Sequence, residues 1–138
     1  YWAEHVAKFW SEFMENRTEI PVVLENVFDR DWQLLMDVYK LVNKQNFTLC
    51  LDIGHAHCYS EIDVRKWSEV LAPYVNHVHV HDNLGDRDAH IGLGKGNLPY
   101  EEVLKFLPET SERSWTIECM QPENVVLCCE RLKEIKAL

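Results

Sequence analysis

Residues 77–82 read HVHVHD, a strict alternation of histidine and valine that ends in an aspartate. Alternation with a period of two is typical of a β-strand, whose successive side chains point to opposite faces. The three histidines are therefore predicted to share one face, and the two valines to pack against helices on the other. Six of the chain's seven histidines fall between residues 55 and 90, which a random surface scatter would not produce.

Three other short β-rich runs accompany this one, and segments with helical spacing of apolar residues separate all four. The runs are Pro21–Asn26, Thr48–Ile53, His77–Asp82 and Trp115–Cys119. The helical segments cover residues 1–14, 32–42, 64–71, 103–107 and 125–138. Strands alternating with helices predict parallel β-α units, here one domain over residues 1–138 in the order α-β-α-β-α-β-α-β-α. Four such strands fit either an open doubly wound sheet or half of a (β/α)8 barrel, which needs about 250 residues.

Each of the four runs ends in an acidic or imidazole side chain. Glu25 ends the first run, Asp52 the second, the three histidines and Asp82 the third, and Glu118 the fourth. In parallel β-α units these positions all lie at one rim of the sheet. That rim is where barrel active sites are built, so the polar residues favour the half-barrel over the open sheet.

Carboxylates that converge on one point repel each other unless a cation lies between them, which is a reason to expect a divalent metal ion at this rim. Carboxylate oxygens with imidazole nitrogens favour Mn²⁺ or Zn²⁺, and Co²⁺, Fe²⁺ or Mg²⁺ would also be accepted. The alternative is that the strand ends carry separate, hydrogen-bonded polar residues. Val23, Val78 and Val80 are expected to pack as core and to take no part in the site.

The loop after the third run, residues 83–98, contains an Asp-x-His arrangement at Asp88 and His90, followed by three glycines. The glycine spacing fits neither a P-loop nor the dinucleotide-binding fingerprint, so it indicates a turn-rich active-site loop. Arg87 and Lys95 are candidates for contact with an anionic or hydroxylated ligand. His90 is a candidate for ligand contact or for loop hydrogen bonding. His57 and Cys58 resemble a metal-binding pair but are expected to lie in a loop beyond the second strand.

The composition limits the partners. A net charge of −9 opposes non-specific binding to nucleic acid or to an anionic membrane surface. No stretch is apolar for long enough to span a bilayer. Five cysteines without CxxC spacing indicate reduced thiols and a cytoplasmic location. The chain begins with Tyr and lacks a signal-peptide pattern, so we expect a fragment or a processed chain.

The stretches LENVFD, LCLDIGHAH, HVHVHDN, DAHIGLGKGN and TIEC together resemble the second half of the xylose isomerase-like TIM barrel superfamily. That group includes sugar phosphate isomerases and epimerases and the AP endonuclease family 2, with endonuclease IV. The resemblance runs from Pro21 onward and corresponds to strands five to eight of the barrel. It implies that one divalent metal ion is bound by Glu25, Asp52, His79 and Glu118, and that the two glutamates also form the catalytic acid–base pair.

The resemblance implies a metal-dependent sugar or sugar phosphate isomerase or epimerase, which transfers a proton through a metal-stabilised enediolate. Its substrate would be a small sugar or hydroxy-carbonyl compound, with His55, His90 and Arg87 as candidate contacts. One alternative is an endonuclease IV-like phosphodiesterase on abasic DNA, in which His55, Asp88 and His90 match further zinc ligands. The excess of acidic over basic residues argues against that alternative. A dehydratase, an aldolase and a non-catalytic metal-binding half-barrel also remain open.

Two features depart from the family pattern. Lys95 stands where the family usually has Glu, and the first four strands of the barrel are absent from the sequence. Half a barrel leaves bare strand edges that are prone to pairing. We therefore expect either a homo-oligomer, most simply a homodimer, or an amino-terminal half that covers these edges.

Overall fold

A computed structural model describes residues 1–135 of the chain. The helices are α1 Trp2–Phe13, α2 Gln33–Val42, α3 Ile53–Tyr59, α4 Val64–Leu71, α5 Tyr100–Leu104 and α6 Pro122–Glu134. The strands are β1 Val22–Glu25, β2 Phe47–Asp52, β3 Val75–Val80 and β4 Ser114–Ile117. A short 3-10 helix, Ala72–Tyr74, leads from α4 into β3.

The four strands form one parallel sheet in the order β1-β2-β3-β4. Each strand pairs with the next one along the chain, and at least one helix lies between successive strands. This sequential order is that of half a (β/α)8 barrel, whereas a doubly wound sheet reverses its order at a switch point. The predicted parallel α/β half-barrel is confirmed.

The helices cover one face of the sheet and form the core with it. Leu49, Leu51, Val78 and Val80 point toward this layer and have no exposed surface, and Trp67 of α4 is equally buried. Full burial of such a side chain stabilises the fold by about 1.5–3 kcal/mol. The expectation that Val78 and Val80 belong to the core is confirmed.

The other face of the sheet is polar and open. Val23 lies on this face and is 38% exposed, so the prediction that it packs as core is wrong. Its neighbour Leu24 is the β1 residue that packs into the helical layer. A cleft of about 360 Å³ opens on the same face at the amino-terminal ends of the strands, lined in part by Val23, Thr48 and His77.

Helix α3 replaces the loop expected at His57 and Cys58. Asp52 ends β2, and its side chain accepts a hydrogen bond from the His55 backbone nitrogen at 2.7 Å, which caps the new helix. Strand β3 lies two residues earlier than predicted, and Asp82, at the end of the predicted strand, forms an isolated antiparallel bridge with Ile91 instead. The final helix begins at Pro122, before the predicted residue 125, and residues 136–138 of the predicted helix lie outside the described residues.

The loop at residues 83–98 folds around one buried carboxylate. Asp82 accepts hydrogen bonds from the backbone nitrogens of Asn83, Gly94, Gly96 and Leu98, at 2.8–3.1 Å. A Cβ atom at Gly96 would lie 2.1 Å from the Asn83 carbonyl oxygen, so the close approach requires glycine. The glycines therefore shape the loop around the protein's own carboxylate.

Two further findings bear on the composition argument. All five cysteines carry free thiols. Within residues 1–135, no helix combines the length and the apolar character needed to cross a bilayer.

Candidate metal centre

Glu25, Asp52, His79 and Glu118 meet at the carboxyl-terminal rim of the sheet, and we call these four residues the acidic centre. The Nδ1 atom of His79 lies 3.2 Å from Glu25 Oε1, 3.6 Å from Asp52 Oδ2 and 3.3 Å from Glu118 Oε1. Carboxylates from β1, β2 and the residue after β4 thus surround one ring nitrogen from β3. The structure brings together all four residues that the sequence proposed as ligands.

Asp52 is the most constrained member of the acidic centre. Its side chain is fully buried, whereas the side chains of Glu25 and Glu118 are each 32% exposed. Asn26 fixes the backbone of Asp52 by donating to its carbonyl oxygen at 2.9 Å and accepting from its nitrogen at 2.8 Å. This amide therefore clamps the end of β1 to the end of β2 and aligns Glu25 with Asp52.

The electrostatics of the acidic centre call for a positive charge. Burial opposes ionisation of Asp52, but hydrogen bonds from His79 and His81 lower the pKa of Asp52 well below its usual range. The neighbouring Asp52, Cys50 and Glu25 side chains raise the pKa of His79 to about 12, because each favours a protonated imidazole. A divalent cation would supply that positive charge instead and would displace the proton from His79.

The donor set of the acidic centre fits a hard or borderline divalent ion. Three carboxylate oxygens and one imidazole nitrogen are the ligands that Mn²⁺, Fe²⁺, Co²⁺ or Zn²⁺ accept. Glu25, Asp52 and His79 each offer one such atom within 4.8 Å of the others. The residues present therefore fit the ion that the sequence analysis expected.

A second group of side chains lies beside the first. His55, His81, Asp88 and His90 each offer one ligand atom, all within 4.8 Å of one another, and we call them the histidine cluster. Asp88 Oδ2 lies 3.2 Å from His55 Nε2 and 2.9 Å from His90 Nε2. His81 joins the two groups, because its Nε2 atom is 3.0 Å from Asp52 Oδ1.

Local backbone features allow this close packing. A Cβ atom on Gly54 would lie 2.1 Å from the His81 ring, so glycine at the start of α3 leaves room for that imidazole. The backbone of His90 has a positive φ of 48°, a conformation that residues other than glycine seldom adopt. Its ring stacks on His81 with centroids 4.0 Å apart.

The remaining candidate residues from the sequence differ in the contacts that they make. His55 and His90 are part of the histidine cluster, as described. The side chain of Arg87 is exposed and makes no hydrogen bond or ion pair within residues 1–135, so its substrate role stays a prediction. Lys95 donates a hydrogen bond to Asn124 on α6 at 2.6 Å.

Asn26 is a residue of the candidate site that sequence reasoning missed. One asparagine at the end of a strand has no periodic pattern around it, although its place directly after Glu25 was available as a signal. His81 was counted among the strand histidines, but its fully buried position between Asp52 and Asp88 was not foreseen.

The sequence model of the xylose isomerase-like TIM barrel family matches residues 2–135. The chain belongs to this family. A crystal structure described as a D-tagatose 3-epimerase-like protein has a TM-score of 0.77 and 30% identity, covering 91% of this chain and 49% of that one. The structure of an L-ribulose 3-epimerase has a TM-score of 0.69 at 18% identity, covering 99% of this chain and 46% of that one, and supports the fold alone.

Two proteins of uncharacterised function are also similar in sequence. MJ1614 of Methanocaldococcus jannaschii is 28% identical over 120 residues, covering 84% of this chain and 46% of that protein. MJ1311 of the same organism is 33% identical over 102 residues, covering 72% and 35%. The chain therefore spans about half the length of these relatives or less. The comparisons support a sugar isomerase or epimerase-like family.

Proposed function

We propose that this chain carries the metal-binding and proton-transfer half of a divalent-metal-dependent sugar or sugar phosphate isomerase or epimerase. The observation that supports it best is the placement of Glu25 and Glu118. Their Oε1 atoms lie 3.2 and 3.3 Å from the same His79 nitrogen, Nδ1. Glu25 ends β1 and Glu118 follows β4, and these are the two outer strands of the sheet. Two carboxylates that flank one point can act on opposite sides of a substrate held there.

The four residues have different roles in this proposal. Asp52 is fully buried and held by His79, His81 and the α3 backbone, so it serves as a ligand and stays ionised. Glu25 and Glu118 keep part of their surface exposed, so one can remove a proton from a substrate carbon while the other returns one. A bound divalent ion would polarise the substrate carbonyl and offset the negative charge that develops on its oxygens.

The substrate class follows from the same geometry. A hydroxyl beside a carbonyl offers two oxygens to one cation, and the carbon between the acid–base pair carries the proton that moves. His55, His90 and the exposed Arg87 remain candidate contacts for hydroxyl or phosphate groups. The similarity to a D-tagatose 3-epimerase-like protein, at 30% identity, supports a sugar substrate.

The activity is proposed for the complete protein. The outer strands β1 and β4 each have a free edge within the described residues, and the polar face of the sheet is open. A second copy of the chain or another four-stranded unit would cover both. The proposed oligomer or amino-terminal half thus serves to close the substrate pocket.

The test incubates the complete, Mn²⁺-loaded protein with a panel of ketoses in D₂O. Deuterium is expected to enter at the carbon beside the carbonyl, and Glu118→Gln is expected to abolish the exchange. Glu123→Gln, on the exposed first turn of α6, is the matched control and should exchange normally. Absence of exchange across the panel, together with nicking of abasic duplex DNA, would overturn the proposal in favour of the endonuclease IV-like alternative.

One observation favours that nuclease alternative as a second candidate. The histidine cluster offers further ligands beside the acidic centre, and a multinuclear site suits phosphodiester hydrolysis. The net charge of −9 works against it, because the approach of a polyanionic backbone would be repelled. The isomerase proposal is therefore the stronger of the two.

A further inference from the structure

The polar face of the sheet carries a thiol directly beside the acidic centre. Cys50 lies on this face, because the residues before and after it, Leu49 and Leu51, belong to the helical layer. In the register of the sheet, Cys50 pairs with Glu25 on one side and with His77 on the other. Its side chain is buried. A sulfur-bearing side chain therefore adjoins the acidic centre, and the proposed chemistry does not use it.

Two imidazoles complete a group of three potential ligands around this thiol, and we call the group the cysteine site. Cys50, His77 and His79 each offer one ligand atom, all within 4.8 Å of one another. The rings of His77 and His79 stand edge to face, with their centroids 4.9 Å apart. Ligand atoms about 2.0–2.3 Å from one tetrahedral zinc ion lie about 3.3–3.8 Å apart, so rotations of these side chains would suffice to bind one.

His77 has the outer partners that a metal-binding imidazole needs. Its Nδ1 atom lies 2.6 Å from Ser114 Oγ, and its Nε2 atom lies 3.0 Å from Thr116 Oγ1. A hydroxyl can donate or accept, so neither contact fixes which ring nitrogen carries the proton. One nitrogen can therefore bind an ion while the other donates its N–H to a hydroxyl, an arrangement that is usual at metal sites.

An open path leads to the cysteine site from the amino-terminal ends of the strands. The cleft of about 360 Å³ on the polar face is lined in part by His77 and Ser114. An ion in this cleft can reach His77 without crossing the helical layer or the acidic centre. The described part of the chain thus provides both the ligands and an entry path for an ion.

We propose that Cys50, His77 and His79 form a binding site for thiophilic divalent ions, such as Zn²⁺, that competes with the acidic centre. Thiolate ligands favour Zn²⁺, whereas Mn²⁺ prefers oxygen donors. A thiol that coordinates such an ion loses its proton to solvent as the metal–sulfur bond forms. The cysteine site therefore selects against the oxygen-preferring ions that the acidic centre accepts.

The shared ligand makes this an inhibitory site. His79 is the one nitrogen donor of the acidic centre, and its Nδ1 atom lies 3.2–3.6 Å from the three carboxylates. An ion bound by Cys50 and His77 takes this imidazole away from an ion among the carboxylates. Zn²⁺ should thus displace Mn²⁺ and stop the exchange reaction. That loss of activity rests on the proposed function, whereas the binding requires only the three ligands.

Co²⁺ is the probe that tests the cysteine site in the complete protein. A bond between Co²⁺ and a thiolate gives a charge-transfer absorption band in the near ultraviolet, which oxygen and nitrogen ligands do not give. The wild type is expected to show this band, and Cys50→Ser should abolish it. His77→Gln can keep both hydrogen bonds of the ring, and it should weaken Co²⁺ binding at this site by more than the about 10- to 100-fold that loss of an outer partner costs.

Cys119→Ser is the matched control, since the Cys119 thiol lies 3.6 Å from that of Cys128 and this pair is the other place where a thiophilic ion could bind. The control should keep the full band. A wild type without the band, a band that survives Cys50→Ser, or a band lost in folded Cys119→Ser would overturn the proposal. His77→Gln keeps the test decisive if Cys50→Ser fails to fold, because an unchanged Co²⁺ affinity in that variant would also overturn it.

Competition with Mn²⁺ tests the shared ligand. Excess Mn²⁺ should reduce the thiolate band of the wild type, and it should reduce the band less in Glu118→Gln, whose acidic centre has lost one carboxylate. A full band in wild type that binds Mn²⁺ at the same time, as counted by electron paramagnetic resonance, would overturn the competition. Failure of the ketose exchange with the band and its competition intact would bear only on the proposed function.

Discussion

The acidic centre and the histidine cluster lie side by side on one rim of the sheet, yet they are built from different parts of the chain. The acidic centre takes its side chains from the ends of β1, β2 and β4 and from within β3. The histidine cluster takes His55 from a helix, His81 from the residue after β3, and Asp88 and His90 from a loop. Asp52 contacts both groups. A rigid sheet thus positions the proposed reacting groups, and the flanking segments form the histidine cluster.

The largest effect should follow from Asp52→Asn, because this residue serves both groups. The amide would turn a donor toward imidazole N–H groups that now donate to a carboxylate. We expect a loss of about 3–5 kcal/mol in the free energy of unfolding, as for a broken buried ion pair, and loss of metal at the acidic centre. Chemical denaturation and calorimetric Mn²⁺ titration measure the two effects. Asp86→Asn, at an exposed loop position, is the control, and equal stability of the two variants would count against the role given to Asp52.

Gly54→Ala should separate the two groups. A new Cβ atom would lie 2.1 Å from the His81 ring, and its three nearest neighbours all belong to that ring. Overpacking of this kind costs about 1–3 kcal/mol. We expect this loss of stability from displacement of the His81 ring, with a smaller loss of Mn²⁺ affinity at the acidic centre than Asp52→Asn causes. Chemical denaturation and Mn²⁺ titration provide the measurements, and a Mn²⁺ affinity lost as completely as in Asp52→Asn would show that the two groups do not act separately.

Metal affinity at the acidic centre should depend on pH. The neighbours of His79 raise its pKa to about 12, so this ring holds a proton near neutral pH until a metal displaces it. Release of one proton makes affinity rise by about tenfold per pH unit below that pKa. Mn²⁺ titrations from about pH 6 to about pH 8.5 should show this rise at the acidic centre. Most of this range lies above the ordinary pKa of a free imidazole, so an unperturbed histidine would give little rise there. A flat profile would mean that His79 is already deprotonated or is not a ligand.

A small effect at a residue outside both groups gives the scale for these changes. Asp63 caps α4 by accepting from the Arg65 backbone nitrogen at 2.8 Å, and the Arg65 side chain lowers the pKa of Asp63 to about 2. Asp63→Ala should cost about 1 kcal/mol of stability and leave the Mn²⁺ affinity of the acidic centre unchanged.

The contribution of Asp63 also has a defined pH window. Its folded pKa lies below the ordinary value, so its stabilisation is present above about pH 4 and disappears as the pH falls toward 2. Wild type and Asp63→Ala should therefore converge in stability at low pH. A difference that persists there would show that the cap does not act through the carboxylate.

Most of the fold and one of the two groups could be predicted from the sequence. Strand periodicity and polar strand ends are local signals, and they placed Glu25, Asp52, His79 and Glu118 at one rim. Helix α3 could not be found in this way, because its sequence, IGHAHCY, has no apolar stripe and depends on capping by Asp52. The prediction for Val23 failed because alternating residue types separate the two faces of a strand. They do not show which of the two faces the helices cover.

The histidine cluster was only partly visible for a similar physical reason. Asp88 and His90 form an Asp-x-His pair in the sequence. His81 belongs with them only because Gly54 allows the His81 ring to approach α3. The clamp made by Asn26 is likewise a contact between residues 26 positions apart. Contacts of this kind depend on the tertiary fold and leave no periodic pattern in the sequence.

Anomalous diffraction from crystals soaked in Mn²⁺ above neutral pH tests the central claim most directly. The account predicts a strong Mn²⁺ peak about 2.0–2.3 Å from ligand atoms of Glu25, Asp52, His79 and Glu118. The contradictory result is a fully ordered rim with no Mn²⁺ peak among these four residues, in which they only hydrogen-bond to one another. They would then be separate polar strand ends and not a metal centre.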